Sequence, residues 1–401
     1  MANTPITIPY GRQAIDQSDI EAVIEVLRSD YLTQGPKVSA FESAVVSYLR
    51  ATPGTPPLYA VAANSATSIL HIACMALGVG PGDAVWTCAN SFAASSNCAL
   101  YCGANVDFVD IDPVTLNMCV DALRAKLDHA DTVGQLPKVV IPVDFAGRSA
   151  DLAAMRSLAD RYGFSILEDA SHAIGSLYQG QHVGAHGLAD ITVFSFHPVK
   201  IITTAEGGLG VTRDPILARR MEMLRTNGIT RDPTLLEHAD LGAWYYEQQA
   251  LGYNYRVTEL QAALGLSQLG RIEAFIQERH YVRDFYREAF NALVQVEKII
   301  LPPGDEAHSR SALHLYPIQL GPGARCTRRH AFDALRAAGI GVNVHYMPIY
   351  LHPYYRRLGF QRGLCPHAEA YYEQALSIPM HAALSAADLD RVVASITQAI
   401  D

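Results

Sequence analysis

The chain has 401 residues, 49% of them hydrophobic and 18% charged, with 40 acidic against 31 basic side chains for a net charge of −9. That much apolar material excludes a disordered chain and suffices for a large buried core divided over two or three domains. The acidic balance argues against sequence-independent binding to a nucleic-acid backbone, while leaving room for a local basic pocket around one anionic ligand.

No run of about 18 apolar residues is free of charges or breakers, so no membrane-crossing helix is expected. The opening MANTPITIPYGRQ has no basic stretch followed by an apolar one, so it does not read as a signal peptide. The seven cysteines are odd in number and include no CxxC pair. They read as reduced thiols in a cytoplasmic protein, and no structural zinc is expected.

From about residue 60 to 215, short apolar runs alternate with helix-like segments. The runs are AVWTCA (84–89), VDFVDI (106–111), KVVIPV (138–143), FSILED (164–169), ITVFSF (191–196) and GLGVT (208–212). Continuous Val-, Ile- and Phe-rich runs of this length fit strands buried on both faces of a parallel sheet. The stretches SATSILHIACMAL (65–77) and DLAAMRSLADRYG (151–163) fit the intervening helices. The alternation defines an α/β domain with helices on both faces of the sheet.

Beyond Val257, apolar residues at Leu260, Ala263, Leu264, Ile272, Phe275, Ile276 and Phe285 keep helical spacing. This predicts one long connecting helix over 258–290 capped by Thr258. LHLYPIQL (313–320) and GVNVHY (341–346) read as strands, and RRHAFDALRAAG (328–339) and AADLDRVVASITQAI (386–400) as helices. The expected organisation is a large domain over 14–257, the connecting helix, and a small α+β domain over 291–401, with residues 1–13 packing nearby.

Open α/β sheets bind ligands beyond the carboxyl ends of their strands. At those points the sequence offers Asp169-Ala170-Ser171-His172 after FSILED, and Ser195 followed by His197 and Lys200 after ITVFSF. It also offers Asn64-Ser65-Ala66-Thr67-Ser68 before a helix, and Asn90-Ser91-Phe92 after AVWTCA. Taken singly these are a turn acid, a surface lysine, a capping sequence and a core ring. Together they match one cofactor, pyridoxal 5′-phosphate. It needs a lysine for its Schiff base, a carboxylate to keep its ring nitrogen protonated, and a helix N-terminus for its phosphate, and a ring stacked on its face favours it.

Competing motifs are missing. There is no GxxxxGK[ST] loop, and GVGPGD (78–83) follows a helix rather than a strand, so it is no dinucleotide fingerprint. His182 and His186 lie four apart in a glycine-flanked loop and are not expected to hold a metal.

In order along the chain, SDYLTQGPKVSAFE (29–42), NSATS (64–68), VDFAGR (143–148), LEDASHAIGS (167–176), FSFHPVKIITTAEGG (194–208) and LGYNYRVTELQAALGLSQL (251–269) resemble the DegT/DnrJ/EryC1/StrS family of nucleotide-sugar aminotransferases. The similarity runs from IPYGRQ (8–13) to IPMH (378–381).

The resemblance implies the fold type I architecture of pyridoxal-phosphate transferases, with active sites shared across a homodimer. It implies Lys200 as the Schiff-base lysine and catalytic base, and Asp169 on the ring nitrogen. His172 would lie near the ring hydroxyl and Phe92 on the ring face. Ala66, Thr67 and Ser195 would hold the phosphate, with Asn254 reaching it from the other subunit. Glu206 and His197 are assigned no role.

Within the family, IPYGRQ…LTQGP, the histidine of DASH and NVHYMPIYLHPYY (343–355) resemble the branch of pseudaminic acid biosynthesis. That branch implies amination at C4 of UDP-2-acetamido-2,6-dideoxy-β-L-arabino-hexos-4-ulose with an amino acid, expected to be glutamate, as donor. The alternative is another keto sugar of the same family, aminated at C3 or carrying a D-configured 4-ketone. Arg256, His314, Tyr316 and His345 are the candidate walls for the sugar and its diphosphate. A dehydratase relative has histidine at the lysine position and a silent regulator needs no lysine, so Lys200 favours transamination over both.

Overall fold

The computed structural model describes residues 7–50 and 56–400; residues 1–6 of the opening stretch lie outside them. Its centre is a seven-stranded sheet. The strands are β1 (Tyr59–Ala63), β2 (Ala84–Cys88), β3 (Asn105–Val109), β4 (Val139–Ile141), β5 (Ser165–Asp169), β6 (Ile191–Ser195) and β7 (Gly208–Thr212). Their spatial order is β1-β7-β6-β5-β4-β2-β3. Pairing is parallel from β3 through β6. It is antiparallel on both sides of β7, so β7 alone runs against the rest.

Six of the seven strands are the apolar runs of the sequence, and their burial explains the lack of alternation. Val85, Val139, Val140, Ile141, Ile166, Leu167, Ile191 and Val193 have no solvent exposure. Each contributes about 1.5–3 kcal/mol to folding.

The helices that matter for the site follow these strands. The helix α1 (Ala66–Ala76) is capped by Ser65, whose hydroxyl accepts from Ser68 N. It packs on β7. Gly208 at the start of β7 makes this approach possible, because a Cβ there would sit 2.3 Å from Ala66 N. The helix α2 (Ala94–Tyr101) follows β2, and α3 (Leu152–Tyr162) precedes β5 with Asp151 as its cap.

The connecting segment differs from expectation. Thr258 is an N-cap with a full capping box to Gln261, but α4 (Glu259–Leu269) ends at Gly270 and a new helix, α5 (Ile272–Ala289), starts after Arg271. Arg271 leaves the helical region at φ −115°, ψ 7°, and its guanidinium pairs with Asp16 and Asp19. The apolar periodicity runs through the junction, whereas the backbone turns there.

A second hydrophobic cluster contains Ile8, Val282, Tyr286 and Phe290. They pack with strands β8 (Ile299–Ile300), β9 (Tyr316–Leu320) and β10 (Ala375–Ile378) and helices α6 (Arg328–Ala337) and α7 (Ala386–Ile400). GVNVHY is not a strand. It has one isolated bridge, Asn343 to Ser377. The N–H groups of Val344 and Tyr346 go to the side chains of Asn343 and Asn90 instead of a ladder.

Candidate active site

The carboxyl ends of β2, β5 and β6 and the loop from β1 into α1 meet at one edge of the sheet. β7 runs the other way, so its start, Gly207-Gly208, lies at that same edge. The cavity there holds about 1050 Å³ and is lined by Ser65, Ala66, Thr67, Phe92, Asp169, His172, Ser195 and Lys200. The sequence picked these residues from four separate loops, and the topology brings them together.

Asp169 is buried and held on both oxygens. Ser95 Oγ donates to Oδ2 at 2.6 Å, and Ser171 donates to Oδ1 through its hydroxyl at 2.5 Å and its N–H at 3.2 Å. Ser95 escaped the sequence reading. Its signal was the pair Ser91 and Ser95, four apart beside Phe92, whose hydroxyls lie 2.7 Å from each other.

Lys200 opens onto the cavity from the turn after β6. Burial lowers its ammonium to about 8, opposed by the Asp169 carboxylate. A lysine tuned this way presents a free amine near neutral pH, as a nucleophile or general base requires.

Three histidines, His172, His314 and His345, form a buried wall. Burial first, then the charge of Lys200, lowers all three; His345 falls to about 3. They are therefore neutral hydrogen-bonding groups. His172 Nδ1 accepts from Ala146 N at 3.3 Å, so the hydrogen is assigned to Nε2, which faces the Tyr346 hydroxyl at 3.3 Å. His314 packs on His172 with ring centroids 4.3 Å apart. His345 Nδ1 lies 2.8 Å from Ser377 Oγ, and its Nε2 lies 3.2 Å from the amide nitrogen of Asn343.

Phe92 is 63% exposed and stands over the cavity. Glu206 and His197 are exposed on its rim. The Glu206 carbonyl is fixed by Thr204 Oγ1 and Gln261 Nε2, each at 2.8 Å.

Tyr316 is a correction. It is fully buried in the second core against Tyr286, at a ring distance of 5.3 Å, and does not reach the cavity. Its position in β9 turns it inward, while His314, before the strand, faces the site. Asn254 and Arg256 also lie outside the cavity of their own chain. They belong to an extended segment whose alternate residues Tyr253 and Tyr255 stack at 4.9 Å over His71. Successive side chains of such a segment diverge, and Asn254 and Arg256 are exposed and half-exposed respectively.

The residues present fit pyridoxal phosphate. The first-turn N–H groups of Ala66 and Thr67 have no intrahelical acceptor and line the cavity beside Ser195, a cradle for a phosphate. Gly208 keeps that cradle open, and Asp169 and Lys200 supply the carboxylate and amine such a ring needs.

Comparison with known proteins agrees. The sequence profile of the DegT/DnrJ/EryC1/StrS aminotransferase family matches residues 13–397, and the chain belongs to that family. It is a pyridoxal-phosphate-dependent nucleotide-sugar aminotransferase.

A UDP-4-amino-4,6-dideoxy-N-acetyl-beta-L-altrosamine transaminase of Campylobacter jejuni (strain 81-176) is 37% identical over 382 residues, 95% of this chain and 94% of that one. The structure of Helicobacter pylori PseC, an aminotransferase involved in the biosynthesis of pseudoaminic acid, superposes with a TM-score of 0.86 at 31% identity. The match covers 98% of this chain and 99% of that chain. A putative sugar aminotransferase of Streptococcus pneumoniae in its PLP form gives 0.84 at 30% identity, covering 98% of both chains.

Proposed function

We propose that this protein transfers an amino group from an amino acid, glutamate being the expected donor, to C4 of UDP-2-acetamido-2,6-dideoxy-β-L-arabino-hexos-4-ulose, a step of pseudaminic acid biosynthesis. The observation that carries the reading is the Lys200–Asp169 pair in a cavity far larger than the cofactor alone. The likeness to relatives named for this transamination supports the choice of sugar.

In this reading Lys200 Nζ would be the cofactor-binding amine, Asp169 would face the ring nitrogen, and His172 would lie near the ring hydroxyl. Phe92 covers the ring, and Ala66, Thr67 and Ser195 hold the phosphate. When bound, the cofactor supplies an aldehyde for amines and a protonated ring that accepts an electron pair. With the cofactor in place, Lys200 would act as the base that takes the proton from the donor's α-carbon in the first half-reaction. In the second it returns a proton to C4 of the sugar. Ser95 and Ser171, donating to both its oxygens, hold the Asp169 side chain in place. The neutral histidine wall offers hydrogen bonds without adding charge.

A UDP-sugar carries a diphosphate, yet Lys200 is the sole lysine or arginine lining the cavity among the described residues. We therefore assign the counter-charge to Arg256 of the partner subunit, and a phosphate contact to Asn254 of the partner subunit, in a homodimer with shared sites. Among the described residues no helix is long and apolar enough to cross a membrane; we place the enzyme in the cytoplasm with its soluble substrates. An assay with candidate UDP-4-keto sugars, resolving the aminated product by NMR, tests the proposal. Amination of the L-arabino sugar at C4 supports it, and amination at C3 or of a D-configured sugar alone replaces it.

A further inference from the structure

Asp144 and Glu168 both have no solvent exposure, and the parallel bridge between Val143 and Asp169 sets their two carboxyl groups side by side on one face of neighbouring strands, directly behind the sheet edge. Glu168 precedes Asp169 on β5, so the two side chains point to opposite faces of the sheet. Glu168 Oε2 accepts from Thr192 Oγ1 at 2.5 Å and lies 3.4 Å from His186 Nε2. Leu188 N donates to His186 Nδ1 at 3.1 Å, so the imidazole hydrogen is assigned to Nε2, aimed at Glu168. Asp144 Oδ1 accepts from Ala150 N at 2.9 Å. The remaining oxygens, Asp144 Oδ2 and Glu168 Oε1, are buried without any other partner.

Two adjacent buried anions are strongly unfavourable, and one proton between them removes the conflict. Burial, followed by the charge of Glu168, pushes the Asp144 carboxyl well above the usual range. The titratable groups facing Asp144 are Glu168 and Asp169, and those facing Glu168 are Asp144 and His186.

The pair is tied to both groups that would face the cofactor ring. Asp144 N donates to the Asp169 carbonyl at 3.1 Å. Asp144 also opens the tight turn Phe145–Gly147, in which Ala146 N donates to His172 Nδ1.

We infer that Asp144 keeps a proton and donates it to Glu168, and that this acid–carboxylate pair is a positioning element for Asp169 and His172 without touching the cofactor. The inference rests on the roles proposed above for those two residues.

Two measurements test it. The first is thermal unfolding of wild type and Asp144→Asn from about pH 5 to about pH 8, a window above the unfolded carboxyl pKa. A carboxyl whose folded pKa is raised contributes stability that is full below its unfolded pKa and is lost as pH rises toward the folded value. Asparagine keeps the donor and the acceptor and does not titrate. Relative to wild type, Asp144→Asn should therefore gain Tm as pH rises. Parallel curves would overturn the shared proton.

The second measurement is the pH titration of the absorbance of bound pyridoxal phosphate. Asp144→Asn should keep the wild-type midpoint, and Asp144→Ala should move it, because a lost supporting hydrogen bond changes the surroundings of both Asp169 and His172. If Asp144→Ala does not fold, Thr192→Val, which removes the hydroxyl holding Glu168, gives the same readout. An unmoved midpoint in the variant measured overturns the positioning role. An unmoved midpoint in Asp169→Asn would instead overturn the cofactor role of Asp169 itself.

Discussion

Ser95 in the first turn of α2 donates a 2.6 Å hydrogen bond to Asp169 Oδ2, linking the helix after β2 to the end of β5. Ser171 holds the other oxygen, so the carboxylate cannot rotate without losing a donor. Ser95→Ala should therefore lower kcat about tenfold, ~1.4 kcal/mol, with KM nearly unchanged. Asp169→Asn should lower it by two orders of magnitude or more, about 2.7 kcal/mol. Steady-state kinetics on both variants checks this ranking; equal losses would mean that Ser95 does more than orient.

Lys200 sets a pH expectation. Its ammonium is lowered to about 8 by burial, from an ordinary 10.5. The neutral amine is the nucleophile, so the rate of cofactor capture by the apoenzyme should rise with pH and level off above about 8. Stopped-flow absorbance after mixing apoenzyme with pyridoxal phosphate reads this directly. A rate still climbing at pH 10 would show an unperturbed lysine.

Gly208 tests the phosphate cradle. A Cβ at that position would meet Ala66 N at 2.3 Å, a backbone atom that can yield only if the start of α1 moves. Gly208→Ala should weaken pyridoxal phosphate binding to the apoenzyme by about tenfold or more, because anion binding depends on where those N–H groups point. Equilibrium titration by fluorescence, with circular dichroism to confirm folding, is the check; unchanged affinity would remove the helix terminus from the site.

Much of this site was legible because its parts lie at strand ends. Buried parallel strands announce themselves as continuous apolar runs, so Asp169 and Ser195 could be placed at the sheet edge directly. β1, with the sequence YAVAA, was missed because alanine-rich segments carry no strand signal. GVNVHY carries the right residue types, but Asn343 and Asn90 capture its amides, a tertiary effect no periodicity reveals. Tyr316 was misplaced for a related reason. Two residues from His314, it lies inside β9, and only the strand start decides which side chain faces the cavity and which the second core. The break at Arg271 is likewise invisible to hydrophobic spacing, which continues across it.

The proposed sharing of sites between subunits has its own test. Lys200→Ala chains are mixed with Asn254→Ala chains, once the latter are found to be badly impaired alone, and the two are allowed to exchange. Activity should return to about a quarter of wild type, the statistical share when each heterodimer carries one intact site. Proven heterodimers without activity would place Asn254 in the site of its own chain.

Amino transfer to this particular sugar is open to a competition experiment. The enzyme is given nitrogen-15-labelled glutamate and an equal mixture of UDP-2-acetamido-2,6-dideoxy-β-L-arabino-hexos-4-ulose and its D-xylo C5 epimer, and the labelled products are resolved by NMR. The label is expected on C4 of the L-arabino sugar, with kcat/KM clearly in its favour, since a site built for one set of hydroxyl and N-acetyl contacts leaves polar groups unpaired with the other. A preference for the D-xylo epimer, or label at a carbon other than C4, would contradict it.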